Sequence, residues 1–393
     1  MTIDEARPAV AALADAVRAL APLVGALQRP VRVPVPAGAR TAGHLGPGEL
    51  LTHIARNLGV ALVADPEAGA DQTDAFEVVI HRWLEPLLGA AALDVPAELA
   101  GDVDKIVADT VAGSFDRYRS PVDVVADDGA LLPVYTAGDP SAPAIVLASA
   151  CGMPAELCEP WLTRLGRDHF VVTWESRGLF RPQEKFDDLA YDAGAQAEDV
   201  FAVMDHFGLR TAHLMGFCGG SVVGLAAAGR RPERISSLSL WHGAYELGPD
   251  SPKLDHHRNI QALMAMAAES RQAAAAVHSV FLQTMLGSAP LDMAHLVLYP
   301  FATPELFYRY CRVNGAITDI DVSPLLDHVP QPTLVVTSDD DNTANPLGSK
   351  HVAARLPDAV LQVEPHGNHL SLFKMGGRLD EVATGFLRRH AQR

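Results

Sequence analysis

The 393-residue chain is poor in positive charge, in cysteine and in aromatic residues. Its 31 Lys and Arg stand against 48 Asp and Glu, a formal net charge of −17 with His neutral. Wrapping nucleic acid or resting on anionic lipid needs a basic face, so neither is expected. The four cysteines, at 151, 158, 218 and 311, form no CxxC pair and are too few for a disulfide framework. No uninterrupted apolar run approaches the roughly 20 residues of a membrane span. The opening MTIDEARPAV carries acids where a secretory signal needs bases, and the chain reads as cytoplasmic. There is no P-loop, no G-x-G-x-x-G after a strand and no HxxEH-type signature, so no cofactor and no metal is expected. What remains is an ordinary globular composition, 48% hydrophobic and 20% charged, long enough for two or three domains.

The texture changes near residue 120. Residues 1–120 show no convincing strand. Ile3–Leu27 is Ala/Leu/Val-rich and helix-favouring, and helical patterns recur at Glu49–Leu62, Thr73–Leu88 and Pro96–Ala112. Asp71 or Thr73 is the candidate cap of Thr73–Leu88, and Pro96 suits a first helical turn. An N-terminal all-helical region over 1–120 is expected. From Pro121 onward, short apolar runs alternate with helical stretches: Val122–Ala126, Leu132–Ala137, Ala144–Ser149, His169–Trp174, Ala212–Met215, Leu238–Trp241, Thr333–Thr337 and Val360–Val363. That alternation predicts an α/β fold with a mostly parallel eight-stranded sheet covered by helices on both faces. Its core would be 121–242 and 331–393. Residues 243–330 hold helical patterns and no strand, and read as an inserted helical cap.

The run Ala212–Met215 leads into Gly216-Phe217-Cys218-Gly219-Gly220-Ser221 and then an apolar helix. This is the G-x-S-x-G nucleophile elbow with Cys in place of Ser. Small residues two before and two after the nucleophile let strand and helix approach closely. The helix N-terminus then lies beneath the sulfur. Gly219 N–H points where an oxyanion would form. Three more motifs follow strands in order. Cys151-Gly152-Met153-Pro154 takes the place of a His-Gly-x-Pro loop and makes Met153 N–H the second oxyanion donor. Glu175-Ser176-Arg177-Gly178 matches an Asp-x-Arg-Gly turn. Ser338-Asp339-Asp340-Asp341 and Pro365-His366-Gly367-Asn368-His369 stand where an acid and a base belong.

Through these four motifs, residues from about 121 to 390 resemble the α/β-hydrolase superfamily with a helical cap. The resemblance maps the nucleophile to Cys218, the base to His369 and the acid to Asp341. Asp340 stays open as the acid and His366 as the base. Glu175, His242, Cys151 and Phe217 are candidate substrate-pocket residues beside the elbow. Cys158 and Cys311 read as core, and His256-His257 as a solvated face.

A cysteine suits one chemistry in particular. Acyl-Cys made from a thioester is another thioester, so the exchange is nearly energy-neutral and the acyl group stays activated. With its Trp-Glu-Ser-Arg-Gly turn and Cys elbow, the chain resembles cysteine-dependent aminoacyltransferases, which look like type II thioesterases of nonribosomal peptide pathways. That resemblance implies a substrate carried on phosphopantetheine, with an acyl or peptidyl carrier protein or a CoA thioester as partner. Arg230-Arg231 and Arg177/Arg181 are candidate docking residues. A cysteine thioesterase or hydrolase with water as acceptor, and a catalytically idle binding protein, are the other expectations.

Overall fold

The structure, a computed structural model, describes residues 2–35, 42–67, 74–90, 93–180, 186–248, 251–253 and 255–390, without the side chains of 255–257 and 288. Asp71, Thr73, Arg181 and the side chains of His256 and His257 therefore lie outside the described residues. Along the chain run α1 (Ile3–Leu27), β1 (Val31–Pro34), β2 (His44–Leu45), α2 (Pro47–Asn57), β3 (Leu62–Asp65), α3 (Ala75–Leu88), β4 (Val95–Pro96) and α4 (Ala100–Gly113). Next come β5 (Val124–Val125), β6 (Leu131–Leu132), β7 (Val134–Ala137), β8 (Ala144–Ala148), α5 (Glu159–Leu165), β9 (Phe170–Trp174), α6 (Ala193–His206), β10 (Ala212–Phe217), α7 (Gly219–Arg230) and β11 (Ile235–Trp241). The remainder holds α8 (Asp255–Glu269), α9 (Arg271–Ser288), α10 (Ala294–Leu298), α11 (Pro304–Thr318), α12 (Ser323–Leu326), β12 (Thr333–Ser338), α13 (Pro346–Arg355), β13 (Ala359–Glu364), α14 (Ser371–Lys374) and α15 (Gly377–His390).

These elements form two compact units. One is Met1–Arg117 with Leu282–Thr303; the other is Tyr118–Phe281 with Pro304–Arg393. In the first, α1 spans the expected range and opens on a capping box: Thr2 N–H donates to Glu5 Oε2 at 2.7 Å, and Glu5 N–H donates back to Thr2 Oγ1. Val10, Leu13, Val17, Leu20 and Val24 recur every three or four residues and form its buried stripe. By length and composition α1 could cross a membrane, with a mean hydropathy of 1.7, which amends the expectation drawn from uninterrupted runs. The cap of α3 is Asp74, whose carboxylate accepts from Phe76 and Glu77 N–H.

This unit departs from the all-helical reading. β1 pairs in parallel with β3, Val31 opposite Leu62, and β2 pairs antiparallel with β4. Pro96 lies in β4 and precedes a short 3-10 turn, Ala97–Leu99, that leads directly into α4, so the expected helix starts four residues later. Strands of two to four residues, two of them holding a proline, leave too little periodicity to read. Residues 282–303 also depart from the expected single cap over 243–330. Their apolar side chains Met293, Val297, Leu298 and Phe301 are buried in the first unit.

The second unit is built on one seven-stranded sheet in the order β13-β12-β11-β10-β8-β9-β7. All neighbours are parallel except β7 on β9. The expected eighth strand near Val122–Ala126 is β5, which pairs with β6 in a separate hairpin. Strands β9, β10 and β12 are buried along their whole length, which is why they read as mostly apolar runs. Gly216 of β10 lies opposite Ala148 of β8 and Leu240 of β11, and Trp241 lies opposite Val336 of β12. The C-terminal ends of four adjacent strands are therefore level. The loops leaving them carry Cys151, Cys218, His242 and Asp341 at one edge of the sheet, where open α/β sheets place their sites.

Candidate active site

Cys218 joins β10 to α7 with φ 52° and ψ −118°, a strained conformation for a non-glycine residue. The flanking glycines make that turn possible. A Cβ on Gly216 would lie 2.5 Å from Gly220 O, and one on Gly220 would lie 2.1 Å from Ala148 O. Beneath the elbow, Cys218 N–H donates to Trp241 O at 2.9 Å and Ser221 Oγ donates to Gly216 O at 2.9 Å. Of the four thiols, only Cys218 is partly exposed. Burial raises Cys151 and Cys311 far above an ordinary thiol and pushes Cys158 up to about 12. These three are inert at neutral pH.

His369 and Asp341 meet at the same edge. Asp341 Oδ2 lies 2.9 Å from His369 Nδ1, and the other ring nitrogen is left to face Cys218. Burial works against a charged imidazole here. The interactions with Cys218 and with the Asp341 carboxylate outweigh it and hold His369 well above the ordinary histidine value. Burial likewise opposes the Asp341 carboxylate. The His369 charge, hydrogen bonds from His242 and His369, and Ala344 N–H overcome it and keep the carboxyl below its usual range. The alternatives sit elsewhere: Asp340 pairs with His366 at 3.2 Å, and both are exposed. The structure brings together Cys218, His369 and Asp341.

His242 completes this group in a way the sequence did not show. Its Nδ1 lies 2.9 Å from the same Asp341 Oδ2, and its backbone takes φ 47°. Thr343 and Ala344 N–H each donate to Oδ1 at 2.8 Å, so the carboxylate receives four hydrogen bonds. The ligand atoms of His242, Asp341 and His369 all lie within 4.8 Å of one another, close enough for a metal. The 2.9 Å contacts are nevertheless those of hydrogen bonds to a carboxylate.

Gly219 occupies the first position of α7, where N–H has no partner within the helix. The other expected oxyanion donor requires a correction. Met153 N–H closes a turn onto Ala150 O at 3.0 Å, and Gly152 N–H donates to Ser176 Oγ at 2.8 Å. Phe217 is also corrected, from pocket wall to core. It is fully buried, with Trp161, Trp241 and Phe373 around it at ring distances of 5.3, 6.5 and 6.0 Å. Glu175 faces backbone instead of the elbow. Both its oxygens lie 3.1 Å from Ala155 N, and burial pushes its carboxyl up to about 8. Arg177 is 2% exposed and bound to Asp199 and Asp128, so it is no docking residue. Arg230 and Arg231 share Glu198 at 3.0 and 2.6 Å.

Cys151 packs beside Gly219, its Sγ 3.1 Å from where a Cβ would be. Tyr310 and Asn314 of α11 stand with it. The Tyr310 ring comes within 2.5 Å of a Cβ built on Gly152, and Asn314 Nδ2 donates to Tyr310 Oη at 2.8 Å. No motif surrounds Tyr310 or Asn314, so sequence reasoning had no signal for them.

No protein-family model matches the sequence. A protein named carbamate hydrolase RutD, from Pseudomonas syringae pv. syringae, is 28% identical over 233 residues, 58% of this chain and 88% of that one. An L-allo-isoleucyltransferase of Pseudomonas savastanoi pv. glycinea is 26% identical over 186 residues, 47% of this chain and 65% of that one. Among solved structures, the enol-lactonase of Burkholderia xenovorans LB400 aligns with a TM-score of 0.54 at 20% identity, covering 68% of this chain and all of that one. An alpha/beta hydrolase enzyme from a deep-sea metagenome library aligns at 0.52 and 16% identity, covering 66% of this chain and 94% of that one. The chain has the α/β-hydrolase fold.

Proposed function

We propose that this chain is an enzyme that carries acyl groups on Cys218. It takes them from a thioester on a phosphopantetheine arm, of a carrier protein or of CoA, and delivers them to a second thiol or an amine in natural-product assembly. The carrying observation is the partly exposed Cys218 at a strained elbow, beside a His369 that is anchored on Asp341 and whose pKa is held up by both neighbours. The Cys218 sulfur attacks the thioester carbonyl carbon and a C–S bond forms. The carbonyl electrons move to oxygen, opposite Gly219 N–H. As the oxyanion collapses, the donor C–S bond breaks, and His369 gives its proton to the departing thiolate. The acceptor then surrenders its proton to His369 and attacks the acyl-Cys carbonyl, and as that oxyanion collapses the Cys218 S–C bond breaks and the Cys218 sulfur is released for the next cycle. The likeness to an L-allo-isoleucyltransferase supports transfer.

The second reading, hydrolysis with water as acceptor, is favoured by the longer match to carbamate hydrolases. Intact-protein mass spectrometry after mixing with aminoacyl- and acyl-thioesters of pantetheine separates the two. The transfer reading expects an adduct on the wild type that disappears when a second thiol is added and is absent in Cys218→Ala. Free acid without an adduct supports hydrolysis, and full turnover by Cys218→Ala would remove both readings.

A further inference from the structure

The seven-stranded sheet ends in two outer strands, and an open outer edge is a row of unpaired backbone donors and acceptors. The two edges differ. At β7 the preceding chain covers the edge: Arg119 bridges antiparallel to Tyr135, and Ser120 N–H donates to Val134 O at 2.8 Å. At the other edge, β13 pairs in parallel with β12 without interruption, from Ala359 opposite Thr333 to Glu364 opposite Ser338. Thr333 N–H donates to Asp358 O at 2.8 Å, and Asp339 N–H donates to Glu364 O at 3.0 Å. Backbone direction alternates along a strand, so the groups of Val360 and Gln362 also turn to β12. Those of Ala359, Leu361 and Val363 turn outward. They meet no hydrogen-bond partner among the described residues.

The strand does little to blunt this edge. It holds no lysine, no proline and no bulge, which are among the devices that keep natural edges from pairing. Val360 is 53% exposed and Leu361 38%, and these two neighbours lie on opposite faces of the strand. Apolar surface therefore flanks the open row on both sides.

The outward groups also select the partner. Antiparallel strands exchange hydrogen bonds between residues that lie directly opposite. With Leu361 on a two-fold axis, it pairs with its own copy, and Ala359 pairs with Val363 of the second copy. That register uses every outward group and sets Val360 against Gln362. Residues Ala359 to Val363 carry no charge, so two copies of this acidic chain meet there without local repulsion. Beyond them Asp358 falls opposite Glu364, whose carboxylate is already held by Arg378 at 2.9 Å. We propose that β13 is a homodimer interface, where two copies of this chain pair antiparallel about Leu361 into one continuous sheet. This does not depend on what Cys218 carries.

Sedimentation of the full chain tests the interface. The wild type is expected at twice the 41.8 kDa of one chain, and Leu361→Lys and Val360→Lys at the single mass. Val122→Lys, at a site outside this strand that is 58% exposed, should remain a dimer. Thermal melting and the rate of Cys218 alkylation by iodoacetamide report that each variant is folded. The register has its own test, which needs no lysine at the edge. In a Cys218→Ala background, Leu361→Cys sets two thiols on directly opposite residues, with Cα atoms about 5.5 Å apart and so within disulfide range. Oxidised glutathione should link that variant into a covalent dimer and leave Val360→Cys largely unlinked. A wild type that stays monomeric up to its solubility limit overturns the proposal. So does a wild-type dimer that both lysine variants preserve, because its interface lies elsewhere. Equal linkage of the two cysteine variants overturns the pairing about Leu361.

Discussion

Asp341 has four acceptor sites and fills them with two imidazole N–H groups and two backbone N–H groups. Its neighbour Asp340, one residue away, faces outward to His366. Side-chain direction in a tight turn separates them, and the run Asp339-Asp340-Asp341 carries no trace of it in one dimension. His242 acts through Asp341 and not on the reacting atoms, so it is a positioning residue. Removing it leaves one hydrogen bond fewer on a buried carboxylate, a loss of about 1.5–3 kcal/mol for a charged acceptor. His242→Leu, which removes the donor, is therefore expected to lower kcat for acyl loading about tenfold or more with KM nearly unchanged. Its pH–rate profile should also move, because His369 loses part of its anchor. Steady-state kinetics across pH checks this, and an unaltered profile would make His242 a packing residue only.

At the level of elements, the elbow works because strand and helix touch backbone to backbone. Gly220→Ala puts a methyl 2.1 Å from Ala148 O and 2.5 Å from Ser149 O, and neither is a side chain that can swing aside. We expect a loss of about 3 kcal/mol or more, or failure to fold. Urea unfolding measures it, and a neutral result would mean that β8 and α7 can separate. The strands around this elbow were legible because burial on both faces makes them mostly apolar runs. The four-residue strands Val31–Pro34 and Leu62–Asp65 were not, since each pairs only with the other and one ends in proline. Cys218, His369 and Asp341 were legible because each follows a strand at a fixed spacing. Tyr310 and Asn314 were not, because their place depends on how α11 packs, and no spacing along the chain records that.

For the whole molecule, stability should respond to pH through buried groups of opposite sign. Burial lowers His213 to about 3 from an ordinary 6.5. The unfolded chain binds that proton near 6.5 and the folded chain refuses it, so its contribution is whole above that pH and is lost as pH falls. Relative to the wild type, His213→Gln should gain about 2 kcal/mol between pH 7 and pH 5. Burial raises Glu175 to about 8 from 4.5, so the folded chain keeps a proton that the unfolded chain has released, and stability is lost as pH rises through that window. Glu175→Gln should therefore gain about 2 kcal/mol on the wild type from pH 5 to pH 7. Denaturant melts of the three proteins at both pH values test the signs.

The unit formed by Met1–Arg117 and Leu282–Thr303 has a consequence in time. A ribosome adding roughly 5–20 residues per second needs on the order of ten to forty seconds to travel from the first segment to the end of the second. Through that interval the stripe of α1 is already made, while Val297, Leu298 and Phe301 are not. The nascent N-terminal segment must wait with apolar surface uncovered, and its exposure to chaperones is set by the order in which the chain is written.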